Sequence, residues 1–248
     1  MSLQSKEEKK ESSSEEAKNE LEKELLINLV GELQPTLTNM KTALSLLLSP
    51  QIKKEQRQRY LELIQRECDR QNSLINGLQD LINIEESGEA DLKEKVNLEE
   101  LVPGVVSTYQ PLAEEKGIML GYTIPPGLPA VACSTTWVKQ IIVNLLHNSL
   151  KFTPAKGRVF VQATQNQQYI AMTISDTGQG IPQNDIPKIF NSFYRGKTTR
   201  TEDPASAGLG LTIVQKILKN CGGSISVTSS RGNGSTFTVL LPIAIESP

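Results

Sequence analysis

The chain is poor in the residues that announce most chemistries. In 248 residues it has one histidine and three cysteines, with no C-x-x-C pair among them. Cys68, Cys133 and Cys221 are odd in number and far apart in sequence, which argues against a disulfide framework or a zinc site and for reduced, buried spectator thiols. An excess of one charge is also missing. Lys and Arg total 26 against 28 Asp and Glu, a formal charge of -2, so no global field draws the chain to nucleic acid or to an anionic membrane surface. No apolar run approaches the ~18–20 residues that span a bilayer, and the first twenty residues are Lys, Glu and Ser rather than a signal h-region. The expectation is a chain without a membrane segment, cytoplasmic, or the cytoplasmic part of a larger sensor. Nothing repeats at a fixed period.

What is present is enough apolar residue, 38%, for a sizeable core. Residues 1–20 have low hydrophobicity and mixed charge and read as a charged linker grading into a helix. Residues 21–90 read as a helical hairpin. Leu26, Val30, Leu33, Leu37, Met40, Leu44 and Leu47 recur at steps of four and three, and a second seam runs through Leu61, Ile64, Cys68, Gln71, Ile75, Leu78 and Ile82. Two amphipathic helices cannot enclose such seams alone, so either the downstream domain covers them or, as expected here, a second hairpin completes a four-helix bundle in a homodimer. Gly31 and Pro35 interrupt the first helix. Together they cost roughly 4 kcal/mol, against about 1.5–3 kcal/mol for each buried seam residue, so the helix is expected to survive with a kink. From residue 91 to 248 the grammar changes. The runs "GIMLGYTI", "GRVFVQAT", "YIAMTISD", "GSISVTSS" and "STFTVLLP" predict strands, and helical patterns cover 98–116, 134–151 and 208–220, giving an α+β layer of sheet on helices.

Three stretches of this second domain could carry chemistry. In "WVKQIIVNLLHNSLKFTP", Asn144, Asn148 and Lys151 share one helix face while Ile141, Leu145 and Leu146 turn to a core. Amide oxygens suit a hard cation such as Mg²⁺, and a lysine beside them suits the phosphates that the cation bridges; a solvated polar face is the plainer alternative. "TISDTGQGIP" brings Asp176, Gly178 and Gly180 into a turn after a strand, where the carboxylate could accept a hydrogen bond from an exocyclic amine and the glycines allow close backbone approach. An ordinary hairpin turn reads equally well in isolation. "SAGLGLTIVQKI" opens a helix with Gly208 and Gly210, where free N–H groups favour phosphate, and "GNGSTFTVLLP" adds Gly234 and Thr236 on a late strand.

In order and spacing, "NLLHNSLKFTP", "DTGQGI", "IFNSFYRG", "GLGLTIV" and "GSTFTVLLP" resemble the N, G1, F, G2 and G3 boxes of the sensor histidine kinases, members of the wider gyrase, Hsp90, histidine kinase and MutL (GHKL) ATPase group. The resemblance covers roughly residues 20–243. It implies an α/β sandwich of the GHKL (Bergerat) type that binds ATP and Mg, preceded by a dimeric hairpin presenting a histidine, and a response regulator receiver domain as partner. It implies that Asn144 and Asn148 lie on the metal side and that Lys151 contacts phosphate. Asp176 would hold the adenine amino group, and Gly178 and Gly180 would line the base pocket. Phe190 and Phe193 would anchor a lid running to about residue 207, and Gly208, Leu209 and Gly210 would cradle phosphate. Thr236 would close the adenine side. Ser206 stands where the family often has a further glycine.

The same resemblance makes Gly31 conspicuous. Kinases of this type carry His-Glu-x-x-Thr-Pro-Leu on the first helix, and "GELQPTL" aligns so that Gly31 occupies the phosphoacceptor position, with Glu32 as the acidic partner. Autophosphorylation of this chain is therefore expected to be absent, whether the histidine was replaced or the protein is a degenerate kinase. Pro35 and Thr36 stand in swapped order, which turns the threonine roughly 100° around the helix and puts phosphatase activity in doubt. The single histidine, His147, lies in the nucleotide-binding helix as a packing or solvent residue, and Thr36, Thr38 and Ser45 read as ordinary helix hydroxyls. Rival readings fail on missing parts: no second Asp-Thr/Ser-Gly for an aspartic protease, Asn191 where a Walker A loop needs its first glycine, and no third glycine for a dinucleotide fingerprint. A nucleotide-regulated dimeric scaffold is the alternative from another class. An ATPase that uses water is a weaker third, because Asn144 stands where such enzymes place a glutamate base.

Overall fold

A computed structural model describes residues 3–86, 94–196 and 206–245. The chain divides into two compact units, one built on residues up to Ile75 together with Ser206 and Ala207, the other on Asn76–Gly196 and the residues from Gly208. The expected boundary at 90/91 and most of the expected lid, 197–205, lie outside the described residues.

The first unit is the hairpin of α1 (Leu3–Leu47) and α2 (Lys54–Glu86) up to Ile75. The stretch expected as a linker is helical from Leu3; its glutamates and lysines are strong helix formers, which composition alone had weighed as disorder. The helix also runs unbroken through Gly31 and Pro35. Next to Pro35, the Thr36 hydroxyl donates to the carbonyls of Glu32 and Leu33, both at 2.8 Å. The buried positions of the hairpin are Thr36 and Ala43 on α1 and Glu67 and Leu74 on α2, each pair two helical turns apart. Asn39 Nδ2 donates to Glu67 Oε1 at 2.9 Å, and Arg70 pairs with Glu32. The apolar seam itself stays open: Leu26, Val30, Leu37 and Leu44 are 51–59% exposed, as are Leu61 and Ile75 to a similar degree. Cys68, expected to be buried, is half-buried.

The second unit is a sheet covered on one face by helices. Its strands are β2 (Met119–Thr123), β4 (Arg158–Asn166), β5 (Tyr169–Asp176), β6 (Ser224–Ser229) and β7 (Ser235–Pro242), in the order β2-β4-β5-β7-β6. Only β2 and β4 run parallel. A two-stranded ladder of β1 (Lys95–Val96) and β3 (Val131–Ala132) stands apart. On β4 the burial alternates strictly, Val159, Val161 and Ala163 facing inward, as a sheet with one solvated face requires. Against that face pack α3 (Leu98–Glu115), α4 (Thr135–Phe152) and α5 (Gly210–Cys221). From α4 come Ile141, Ile142, Leu145, Leu146 and Leu150, all fully buried, and from α5 Val214 and Ile217.

Local signals fix the helix ends. The Asn97 side chain caps α3 by accepting from the Glu99 N–H, and Gly222, at φ 72°, ends α5 in the left-handed conformation that glycine tolerates. The last turns of α2, from Asn76, belong to this unit: Leu81 and Ile84 are buried, Glu85 pairs with Lys216, and Asn220 Nδ2 donates to the Ile84 carbonyl at 3.1 Å. One expectation is overturned here. Cys133 and Cys221 are not separate reduced thiols but a disulfide spanning 88 residues, because α4 and α5 pack side by side and bring the two positions together.

Candidate functional site

Most of the residues singled out in the sequence lie around α4. Asn144, Asn148 and Lys151 are all half-buried on it. Asn144 Nδ2 donates to the Gln140 carbonyl at 3.0 Å, which orients its amide so that Oδ1 meets the start of α5. A Cβ on Gly210 would come within 2.8 Å of that oxygen, so glycine is what lets the first turn of α5 close on Asn144. The Lys151 ammonium lies 4.7 Å from the centroid of the Phe152 ring. Two amide oxygens and a cation on one helix face form a donor set suited to a hard metal ion with its phosphates.

The end of α4 meets the Asp-Thr-Gly loop. The Gln179 N–H donates to the Phe152 carbonyl at 3.2 Å, and a side chain at Gly178 would collide with that carbonyl. Asp176 closes β5, and its Oδ1 accepts from the N–H groups of Gly178 at 2.8 Å and Ser235 at 3.2 Å. Burial pushes the Asp176 carboxyl above the ordinary aspartate range, with both backbone hydrogen bonds opposing the rise. The turn between β6 and β7 is tied to the same loop: Gly232 N–H donates to the Gln179 carbonyl at 2.7 Å and Ile181 N–H to Ser229 Oγ at 2.8 Å. Gly180, at φ 68°, lies against the Ser230 carbonyl. The glycines of this loop thus serve backbone-to-backbone packing.

Thr236 is not brought to Asp176. Asp176 stands opposite Ser235 in the ladder, and adjacent strand residues face opposite sides, so Thr236 points with Ser175, 3.0 Å between their hydroxyls. Ser235 is the neighbour that sequence reasoning missed by one position. Phe193, buried at φ 62°, donates its N–H to the Gly208 carbonyl at 3.0 Å, and the Phe190 carbonyl accepts from the Thr212 hydroxyl at 3.1 Å. This segment therefore closes onto the start of α5. Leu209 is buried against Gly77 of α2, where a Cβ would come 2.7 Å from Leu209 Cδ1; its side chain serves packing. Arg195, 8% exposed, is a buried cation two residues past Phe193 that no spacing in the sequence marked. His147 is exposed. A groove of about 540 Å³ between α3 and β2, lined by Pro103, Gly104, Gln110 and Tyr122 among others, contains none of the expected residues.

In the first unit, Gly31 is exposed and a Cβ there would meet nothing within 4 Å. Glu32, one residue on, is held by Arg70. Thr36 is fully buried, turned away from the exposed side on which Gly31 lies, and the hydroxyls of Thr38 and Ser45 donate to carbonyls of their own helix.

Comparison with known proteins finds two kinds of likeness. Residues 133–245 match the family model described as "Histidine kinase-, DNA gyrase B-, and HSP90-like ATPase", and the chain as a whole is similar to sensor histidine kinases. Drug sensory protein A of Synechocystis is 31% identical over 88% of this chain and 34% of its own length. The sensor histidine kinase WalK of Bacillus subtilis is 26% identical over 89% of this chain and 36% of its own. The crystal structure of full-length ShkA with AMPPNP matches with a TM-score of 0.63 and 25% identity, covering 91% of this chain and 47% of that one. The chain thus spans about a third of the length of these two curated relatives. Among the described residues, no helix is long and apolar enough to cross a membrane.

Proposed function

We propose that the chain is the core of a two-component sensor kinase that binds ATP with Mg²⁺ and acts in the cytoplasm on a response regulator receiver domain. The observation that carries the reading is Asp176. It is a carboxylate raised by burial, with Oδ1 taken by two backbone N–H groups and Oδ2 remaining to accept the adenine amino group. Gly178 and Gly180 shape the base side, and Ser235 takes the place first expected of Thr236. Asn144 and Asn148 hold the magnesium through their amide oxygens, and Lys151, with the N–H groups at Gly208 to Gly210, meets the phosphates. The ion, when bound, neutralises charge on the β- and γ-phosphates. Phe190 and Phe193 anchor the lid. The boundaries expected from the sequence, a hairpin at 21–90 and an ATP-binding domain at 91–248, suit this division of labour.

A second copy of the hairpin covers the stripe of Leu26, Val30, Leu37 and Leu44, whose exposure is hard to sustain in water. Gly31 supports a second reading, in which the bound nucleotide governs association with a response regulator or another kinase and this chain transfers no phosphate. The test uses γ-labelled ATP and measures Mg-ATP binding alongside. The chain as it stands is expected to bind nucleotide and keep no acid-labile phosphate, and Gly31→His, entering open space, is expected to become labelled. A Gly31→His protein that binds nucleotide but takes no label would defeat the kinase reading and leave the scaffold.

A further inference from the structure

The Cys133–Cys221 bond sits where a covalent link has leverage on the nucleotide site. Cys133 immediately precedes Ser134, the N-cap of α4, and Cys221 is the last residue of α5. The helices run antiparallel and in contact. The bond ties one end of the pair, with Cα atoms 5.6 Å apart, inside the span that disulfides bridge. Eleven residues away along each helix, Gly210 at the start of α5 closes on the oriented amide of Asn144. Axial sliding or tilting of α5 on α4 would open that contact. A cross-link at the far end removes such freedom.

We infer that Cys133 and Cys221 form a reversible redox clamp that fixes α5 against α4 and so sets nucleotide affinity, with a protein dithiol-disulfide or glutathione disulfide as the exchange partner; the inference rests on the nucleotide-site reading above. Cys133 is fully buried while Cys221 retains 7% exposure, which fixes the order of steps. The Cys221 thiolate attacks a sulfur of the partner disulfide and releases one partner thiolate, leaving a mixed disulfide. The Cys133 thiolate then attacks Cys221 Sγ and expels the second partner thiolate. One S–S bond is broken and one formed; the two cysteines lose two electrons and two protons, and the partner gains them. A dithiol partner runs the sequence backward. Cys68, on the first unit and unpaired in the structure, is the internal control.

The test equilibrates the full chain with glutathione disulfide or with dithiothreitol, maps peptides without reduction, and titrates each form with Mg-ATP. A linked Cys133–Cys221 peptide is expected in the oxidised sample alone, with binding about fivefold or more weaker after reduction. Cys221→Ser should match the reduced form in both buffers, and Cys68→Ser should respond like the unmodified chain. Absence of the linked peptide after oxidation overturns the inference, and so does a linked peptide with equal affinities in both forms. If neither form binds Mg-ATP, the nucleotide reading fails separately, and amide exchange at Gly210–Ile213 decides the clamp: slower exchange when oxidised supports it, and identical exchange overturns it. The comparison of oxidised with reduced unmodified chain needs no variant to fold.

Discussion

The sheet domain and the hairpin use the same kind of residue to opposite ends. In the domain the apolar side of every helix finds a partner within the chain: Ile141, Leu145 and Leu146 are fully buried on the sheet. In the hairpin the buried positions are few, Thr36, Ala43, Glu67 and Leu74, and most seam leucines, Leu26, Leu37, Leu44 and Leu61, stay exposed. One region is complete in itself and the other leaves an apolar stripe exposed. The domain's stability should therefore be a property of one chain, and the hairpin's a property of two.

The largest effect should come from breaking the hairpin's surface. Leu37→Glu with Leu44→Glu removes four leucines from a dimer, at about 1.5–3 kcal/mol each when buried, so sedimentation should report monomer at concentrations where the unmodified chain is dimeric. Nucleotide affinity per chain should change little. If the unmodified chain sediments as a monomer, the contrast between the two regions is lost. Next in size, Leu145→Ala should cost the domain about 2–5 kcal/mol in denaturant unfolding while leaving dimerisation alone.

Smaller still is the effect at Asp176. Asp176→Asn should weaken Mg-ATP binding about tenfold or more, since a buried acceptor is replaced by a group that also carries donors. The pH dependence follows from the raised carboxyl. The folded protein holds this proton more tightly than the unfolded chain, so the group's contribution to stability is greatest below its unfolded pKa and is lost as pH rises through the folded value. Nucleotide binding needs the ionised form and runs the other way, weakening on acidification from above the ordinary aspartate range; Asp176→Asn should flatten that limb in a titration series. Smallest is Arg70→Ala, where the pair with Glu32 is partly exposed and should contribute no more than about 1 kcal/mol, diminishing with added salt.

How far the sequence could be read tracks the length and periodicity of each signal. β5 and β7 coincide with "YIAMTISD" and "STFTVLLP" because alternation over eight residues leaves little room for another choice. β1 and β3 have two residues each, too few for any period. Thr236 falls in line with Ser175 rather than with Asp176 because facing depends on register, and register here is set by the turn at Gly232 and Gly234 rather than by the strand's own pattern. The glycines of the Asp-Thr-Gly loop were recognised as necessary, but the carbonyls of Phe152 and Ser230 that require them come from distant segments. The meeting of Cys133 with Cys221 was illegible for the same reason, since it follows from how two helices pack and leaves no local mark. The hairpin's heptads revealed an apolar face without saying which face the two helices turn to each other.

The central claim is that α4, the loop after Asp176 and the turn before β7 together form one site for an adenine nucleotide with its metal. Isothermal calorimetry of the full chain with ATP and magnesium tests it most directly. Saturable heat at one nucleotide per chain, sharply reduced by Asp176→Asn, is the predicted result. No heat at millimolar nucleotide, or heat that Asp176→Asn leaves unchanged, would contradict it.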